Sequence, residues 1–175
     1  MKILIIHPED KSTDFLCPIY ENLPQATVIR KQLNEDVTVI DTELQKDYDK
    51  VIFLGHGSPV GLLDMINNIY LIYPSHAMLL KNKTVIAIWC NADEYFRGTG
   101  INRFNTGMFI SEMREADYYG IYTTQKEIDQ SNNLFVNIVK KNILYTPKTI
   151  RKHIDKEYIG NNSIIQANRE FMGLK

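Results

Sequence analysis

The sequence is poor in cysteine and in net charge. Its 175 residues contain two cysteines, Cys17 and Cys90, which form no CxxC pair. Neither a disulfide framework nor a zinc site is therefore indicated, and we expect no metal. The formal net charge is -1, so no general electrostatic field attracts nucleic acid or an anionic membrane. We expect neither as a partner.

Long apolar segments, repeats and linkers are lacking as well. The amino-terminal segment "MKILIIHPED" has only a short apolar run before His7 and Pro8. That run is too short for a secretory signal and far below the roughly 18 residues of a membrane span, so we expect a cytoplasmic protein. A length of 175 residues is about one domain, and we predict a single α/β domain over residues 1–175.

The sequence does contain continuous apolar runs rich in β-branched residues, at residues 2–7, 37–41, 50–55, 84–89 and 118–124. Such runs are typical of strands buried on both faces of a parallel sheet. Helical spacing predicts helices between these strands, at residues 26–35, 60–72, 104–118 and 131–144. The predicted fold class is α/β, a three-layer αβα sandwich with a mainly parallel central sheet.

Three side chains that can carry chemistry directly follow predicted strands. His7 follows the first strand, His56 the third and Cys90 the fourth. Because ligands bind beyond the carboxyl ends of the strands in an open parallel sheet, we expect these side chains along one edge. His7 and Pro8 also fit a simple exit from a strand, and we favour that interpretation for His7.

His56 and Cys90 form a candidate pair for nucleophilic catalysis. In this chemistry a thiolate attacks, an imidazole moves the proton, and backbone N–H groups hold the developing oxyanion. We predict His56 and Cys90 as the catalytic residues. The backbone N–H groups of Gly57 and Cys90 are the predicted oxyanion donors, because glycine lets the backbone approach a substrate closely.

The order of these parts resembles the caspase-like cysteine peptidases, which include caspases, metacaspases, gingipains, clostripain-type enzymes and CHAT-type domains. The motifs that carry the resemblance are "VIFLGHG" and "VIAIWC", and the later segment "ADYYGIYTTQKEIDQSNNLF" is similar to a strand and helix of CHAT-type domains. The resemblance implies a caspase-like fold and a cysteine endopeptidase, or a related thiol hydrolase, acting on a peptide or protein. It implies His56 as general acid/base, Cys90 as nucleophile and no cofactor.

Acidic residues near the predicted catalytic pair suggest which substrate residues the site prefers. Asp10 and Asp14 follow the first predicted strand, and Asp93 follows Cys90. We predict that these three residues bind substrate, because an acidic pocket favours Lys or Arg.

Two further hypotheses remain open. A non-catalytic α/β module, similar to flavodoxin or to a response regulator, would bind a small ligand or a protein partner at the same sheet edge. The response-regulator version is weakened because the third strand ends in His56 where an acidic residue is needed. A glutaminase-type amidotransferase also uses Cys and His, but there the His follows the Cys in the sequence.

Overall fold

The computed structural model describes residues 1–30 and 38–174. Its main sheet contains five parallel strands in the order β2-β1-β3-β7-β8. These strands are β1 (Ile3–Ile6), β2 (Ala26–Ile29), β3 (Lys50–Leu54), β7 (Thr84–Ile88) and β8 (Arg103–Asn105). A smaller antiparallel sheet contains β4 (His56–Ser58), β5 (Gly61–Asp64) and β6 (Ile69–Tyr70).

Helices cover both faces of the main sheet. The α-helices are α1 (Thr38–Leu44), α2 (Ala92–Tyr95), α3 (Met113–Tyr118), α4 (Gln125–Asn142), α5 (Pro147–Glu157) and α6 (Ser163–Phe171). Two 3-10 helices span Lys11–Ile19 and Pro74–Leu80. In the part of the chain that the structure describes, no helix has the length and apolarity needed to cross a membrane.

Alternate residues of each central strand belong to two different cores. In β1, Ile3 and Ile5 pack with the first 3-10 helix and with α4 and α5, whereas Leu4 and Ile6 pack with α1 and α2. Since both faces are buried, the strand sequence is continuously apolar. The predicted three-layer α/β sandwich with a mainly parallel sheet is confirmed.

The strand order identifies the type of sheet. Numbered within the main sheet alone, the order is 2-1-3-4-5, which is the order of flavodoxin-like doubly wound folds. The chain leaves β1 toward one edge of the sheet and leaves β3 toward the other. The carboxyl ends of β1 and β3 therefore flank the topological switch point, where ligands bind in such sheets.

Two predicted strands are wrong. Residues 38–41 lie in α1, where Ile40 and Leu44 bury one helical face, and Val37 lies outside the described residues. Residues 118–124 contain the end of α3 and a turn at Gly120, and the Tyr122 side chain is fully exposed. The strand that follows β7 at this edge of the main sheet is β8 instead of residues 118–124.

Two predicted helices are wrong as well. Residues 60–72 contain the hairpin β5–β6, whose turn includes Asn68 with a positive φ angle. Residues 26–29 of the predicted helix 26–35 form the edge strand β2, and residues 31–35 lie outside the described residues. Short apolar runs do not distinguish a strand from a buried helical turn, so the pattern was ambiguous at these places.

The predicted helices 104–118 and 131–144 are partly correct. Residues 113–118 form α3, but residues 103–105 form β8. Helix α4 begins at Gln125, six residues earlier than predicted, because the Thr124 hydroxyl accepts a hydrogen bond from the Glu127 amide as an N-cap.

Candidate functional site

His56 lies at the switch point between β1 and β3. It directly follows the Gly55 turn at the end of β3, and its Nε2 lies 2.6 Å from the hydroxyl oxygen of Ser12. Ser12 belongs to the first turn of the 3-10 helix that follows β1, and its hydroxyl donates to Asp10 at 2.7 Å. Asp10 Oδ2 lies 3.7 Å from His56 Nε2. The His56, Ser12 and Asp10 side chains thus join the loops after β1 and β3.

The charge of Asp10 fixes the direction of these hydrogen bonds. Partial burial raises the pKa of Asp10, but hydrogen bonds from the hydroxyl and amide of Ser12 outweigh it and leave the pKa lowered. An ionised carboxylate only accepts, so the single hydroxyl proton of Ser12 points to Asp10. Ser12 must then accept from His56 Nε2–H. In the neutral imidazole this assignment leaves Nδ1 as an acceptor.

Cys90 is a partly buried residue whose thiol lies near two acceptors. Its sulfur lies 3.7 Å from the carbonyl oxygen of Phe109 and 4.0 Å from Oε1 of Glu115. Burial and the nearby Glu115 charge raise the pKa of Cys90 to about 11. Glu115 itself is fixed, because its other oxygen accepts from the backbone amides of Ser111 and Glu112. The Cys90 sulfur is therefore protonated near neutral pH, whereas a nucleophilic cysteine requires a thiolate.

His56 and Cys90 meet at one small cavity. Both residues line a space of about 20 Å³, enough for a single water molecule, together with Phe109, Ser111 and Glu115. Within residues 1–30 and 38–174, the hydrogen bonds of the two side chains go to different groups, His56 to Ser12 and Cys90 to Phe109 and Glu115. Their catalytic roles stay predictions.

Gly57 has a structural reason to be glycine. It lies in β4 opposite Leu62 of β5. A Cβ atom at Gly57 would overlap Cδ1 of Trp89 and would lie 2.6 Å from the carbonyl oxygen of Gly61. The absence of a side chain lets the buried Trp89 indole pack directly against β4. The oxyanion role of the Gly57 and Cys90 amides stays a prediction.

The three predicted substrate-binding aspartates lie in different places. Asp10 lines the large cleft described below. Asp14 is exposed and forms an ion pair with Arg30, and Asp93 lies in α2, where its amide donates to Thr106. Neither Asp14 nor Asp93 contributes to the cleft lining. His7 is buried between Tyr20 and Thr13, and burial lowers its pKa to about 4, in keeping with a structural role.

A cleft of about 680 Å³ opens beyond the switch point. Its walls come from the loop after β1, the tip of the β5–β6 hairpin, the start of α3 and one face of α4. The lining residues are Asp10, Lys11, Ser12, Phe15, His56, Met65, Ser111, Glu112, Met113, Arg114, Gln125, Asp129 and Asn132. This volume is in the usual range for small-molecule sites.

Several lining residues were missed in the sequence. Gln125, Asp129 and Asn132 come from α4, and Ser111 comes from the segment before α3. The spacing of the three α4 residues places them on one helical face, and this polar stripe was the available signal. It gave no indication that the stripe faces the end of β3.

The loop after β1 does not fit a phosphate group. In flavodoxin, which has this strand order, FMN binds at the switch point, and phosphate binding relies on free backbone N–H groups. Here Pro8 has no N–H group, and the amides of Ser12 and Thr13 already donate to Asp10. The ionised Asp10 carboxylate also repels an anion. These groups do not suit the phosphate of a flavin nucleotide.

Burial of Cys90 gives a testable prediction about thiol reactivity. In a Cys17→Ser background, we expect iodoacetamide at pH 8 to modify Cys90 at least about 100-fold more slowly in the folded protein than in urea. With a pKa of about 11, roughly one thiol in a thousand is ionised at that pH, against about a quarter for an ordinary cysteine. Mass spectrometry of the quenched reaction measures the rate. Glu115→Gln should increase it, and equal rates in folded and unfolded protein would contradict this description of Cys90.

Comparison with known proteins yields little similarity. No family model matches the chain, and no curated protein matches it. Among solved structures, the chain is similar to the Trp repressor binding protein from Bacillus subtilis, with 16% sequence identity and a TM-score of 0.37. The alignment covers 67% of this chain and 94% of that chain.

The predicted caspase-like cysteine peptidase is wrong. Neither a family model nor a curated protein supports the resemblance, and the solved structure named above is a Trp repressor binding protein. Two local features agree with this correction. The Cys90 thiol lies 4.0 Å from Oε1 of Glu115, and residues 118–124, which were matched to a strand of CHAT-type domains, form no strand.

Proposed function

We propose that this protein is a non-catalytic α/β module that binds a small polar ligand in the cleft at the switch point. The observation that carries the proposal is the cleft of about 680 Å³ itself, which lies beyond the carboxyl ends of β1 and β3 and is lined mainly by polar side chains. Open parallel sheets bind their ligands at this place. The protonated state of Cys90 favours binding over thiol catalysis at the same edge.

The connection between His56, Ser12 and Asp10 supports a preorganised site. These three side chains hold each other across two loops, so the floor of the cleft does not need to be ordered when a ligand enters. Preorganised polar groups bind with a smaller entropic cost than mobile ones. A cytoplasmic location is part of the proposal, and the two free cysteines suit a reducing compartment.

NMR titration of the isotope-labelled protein tests the proposal. Mixtures of amino acids, polyamines, dicarboxylates and nucleosides are added while backbone amide resonances are followed. We expect at least one mixture to shift the amides of Ser12, His56 and Ser111. The amides of Asn82 and Asn102, which precede β7 and β8 at the opposite edge of the sheet, should not move.

A pair of substitutions on α4 provides the control. Asp129 lines the cleft, whereas the adjacent Gln130 does not, and both side chains are exposed. Asp129→Trp should fill part of the cleft and weaken binding at least about tenfold, and Gln130→Trp should leave binding unchanged. The proposal fails if no mixture shifts the cleft amides, or if the shifts are the same in both variants.

A further inference from the structure

The polar groups of the cleft are arranged by depth. Its floor consists of buried or half-buried residues, and its rim consists of exposed ones. The floor contains Asp10, Ser12, Phe15, His56, Ser111, Glu112, Met113 and Asn132, and the rim contains Lys11, Met65, Arg114, Gln125 and Asp129. Both basic side chains of the lining, those of Lys11 and Arg114, lie at the rim. The floor has two carboxylates, those of Asp10 and Glu112, but no lysine or arginine.

Asn132 has a buried acceptor with no partner. Its side chain is 7% exposed, and its Nδ2 donates to the carbonyl oxygen of Ser111 at 3.0 Å. That bond fixes the orientation of the amide and leaves Oδ1 as the remaining polar atom. Among the described residues, Oδ1 has no hydrogen-bond partner. A buried acceptor without a donor costs about 1–3 kcal/mol, so this position calls for a donor from outside the chain.

The protein's own donors near the floor are already used. The Ser12 amide and hydroxyl both donate to Asp10, and the amides of Ser111 and Glu112 both donate to Glu115. Few donors therefore remain for an anionic group at this depth. The acceptors of the floor are the carboxylates of Asp10 and Glu112 and the unpartnered Asn132 Oδ1. A ligand that complements them must supply N–H groups.

We infer that the cleft binds a ligand with a guanidinium or ammonium group at one end and a carboxylate at the other. The cationic end would lie on the floor, against Asn132 Oδ1 and the Asp10 carboxylate. The carboxylate end would lie at the rim, within reach of the Lys11 and Arg114 side chains. This inference rests on the proposed function and names the class of ligand for the same cleft.

Isothermal titration calorimetry with four probes tests the inference. L-arginine has both charged ends, L-citrulline replaces the guanidinium with a neutral ureido group of the same shape, agmatine lacks the carboxylate, and glutarate is anionic. We expect L-arginine to bind at least about tenfold more tightly than L-citrulline, because the floor favours a cation. Agmatine should bind more weakly than L-arginine by only about two- to fivefold, since exposed charges contribute little. Glutarate should bind most weakly.

Variants of Asn132 show whether the unpartnered acceptor is responsible. Asn132→Leu should weaken L-arginine binding at least about tenfold, and Asn132→Asp should strengthen it by placing a second carboxylate at the floor. The neighbouring Asn133, which is exposed on α4, is the matched control. Asn133→Leu should leave L-arginine binding unchanged. Circular dichroism verifies that each variant is folded, and Asn132→Asp keeps the test valid if Asn132→Leu does not fold.

Some outcomes would overturn the inference and leave the proposed function intact. L-citrulline or glutarate binding as tightly as L-arginine would show that the floor does not select a cation. An unchanged L-arginine affinity in both Asn132 variants would show that a water molecule, and not the ligand, donates to Asn132 Oδ1. Binding of none of the four probes would also overturn it, while another compound that shifts the cleft amides in NMR would still support a binding module. If no compound shifts those amides, the proposed function fails too.

Discussion

Gly57→Ala is expected to lower the free energy of unfolding by about 3 kcal/mol. The added Cβ atom would overlap Trp89 Cδ1 and lie 2.6 Å from the Gly61 carbonyl oxygen. Neither neighbour can move easily. Trp89 is 2% exposed, its Nε1 donates to the Ser58 carbonyl oxygen at 3.1 Å, and its ring packs against Phe53, Tyr95 and Phe96. Overpacking of this kind typically costs about 1–3 kcal/mol, and occasionally more, when it shifts backbone. Urea unfolding followed by tryptophan fluorescence measures the change.

Gly98→Ala is the matched control for this substitution. Gly98 has a positive φ of 75°, but a Cβ atom there meets nothing within 4 Å. Gly98→Ala should therefore lower the free energy of unfolding by only about 1 kcal/mol, which is the cost of a left-handed backbone at an alanine. If Gly57→Ala were no more destabilising than Gly98→Ala, the close packing of Trp89 on β4 would be refuted. Glycine at position 57 would then need another explanation, such as the backbone donor role predicted from the sequence.

The central strands could be predicted because their environment is uniform. Ile5, Ile52 and Ile86 pack on one face of the sheet, and their chain neighbours pack on the other. Burial on both faces produces a continuous apolar run that no surface helix requires. The two edge strands have no such pattern. In β2, Thr27 and Val28 are exposed, and β8 has three residues with only the central one buried.

The candidate site was predictable only where it follows the central strands. His56 lies two residues after β3 and Asp10 lies four residues after β1, so the sheet itself brings them to one edge. Asn132 reaches the same edge through α4, whose Phe135 and Val139 pack in one core with Leu16 of the first 3-10 helix. That docking depends on tertiary packing, which the sequence pattern does not express. Burial of Cys90 depends likewise on Phe109 and Glu115, which come from later segments.

The end of the chain positions the cleft walls through a buried polar network. Asn168 in α6 is fully buried. Its Oδ1 accepts from the Ile110 amide at 2.6 Å, and its Nδ2 donates to the Ile110 carbonyl oxygen at 3.0 Å and to the Tyr158 hydroxyl at 3.2 Å. Tyr158 is in turn 2.6 Å from the hydroxyl of Ser131 in α4. Ile110 and Ser131 directly precede Ser111 and Asn132, both of which line the cleft.

Asn168→Leu is expected to lower the free energy of unfolding by about 3–5 kcal/mol. The substitution keeps the size of the side chain but leaves the amide and carbonyl of Ile110 buried without partners, and each such group costs about 1–3 kcal/mol. Gln166→Leu, at an exposed position of the same helix, should change stability by less than about 0.5 kcal/mol. Urea unfolding followed by circular dichroism measures both variants. Similar midpoints for the two variants would contradict a network in which Asn168 holds Ile110 in place. Because the same network fixes the residues before Ser111 and Asn132, the folded fraction of Asn168→Leu should also bind the cleft ligand more weakly than the wild type does.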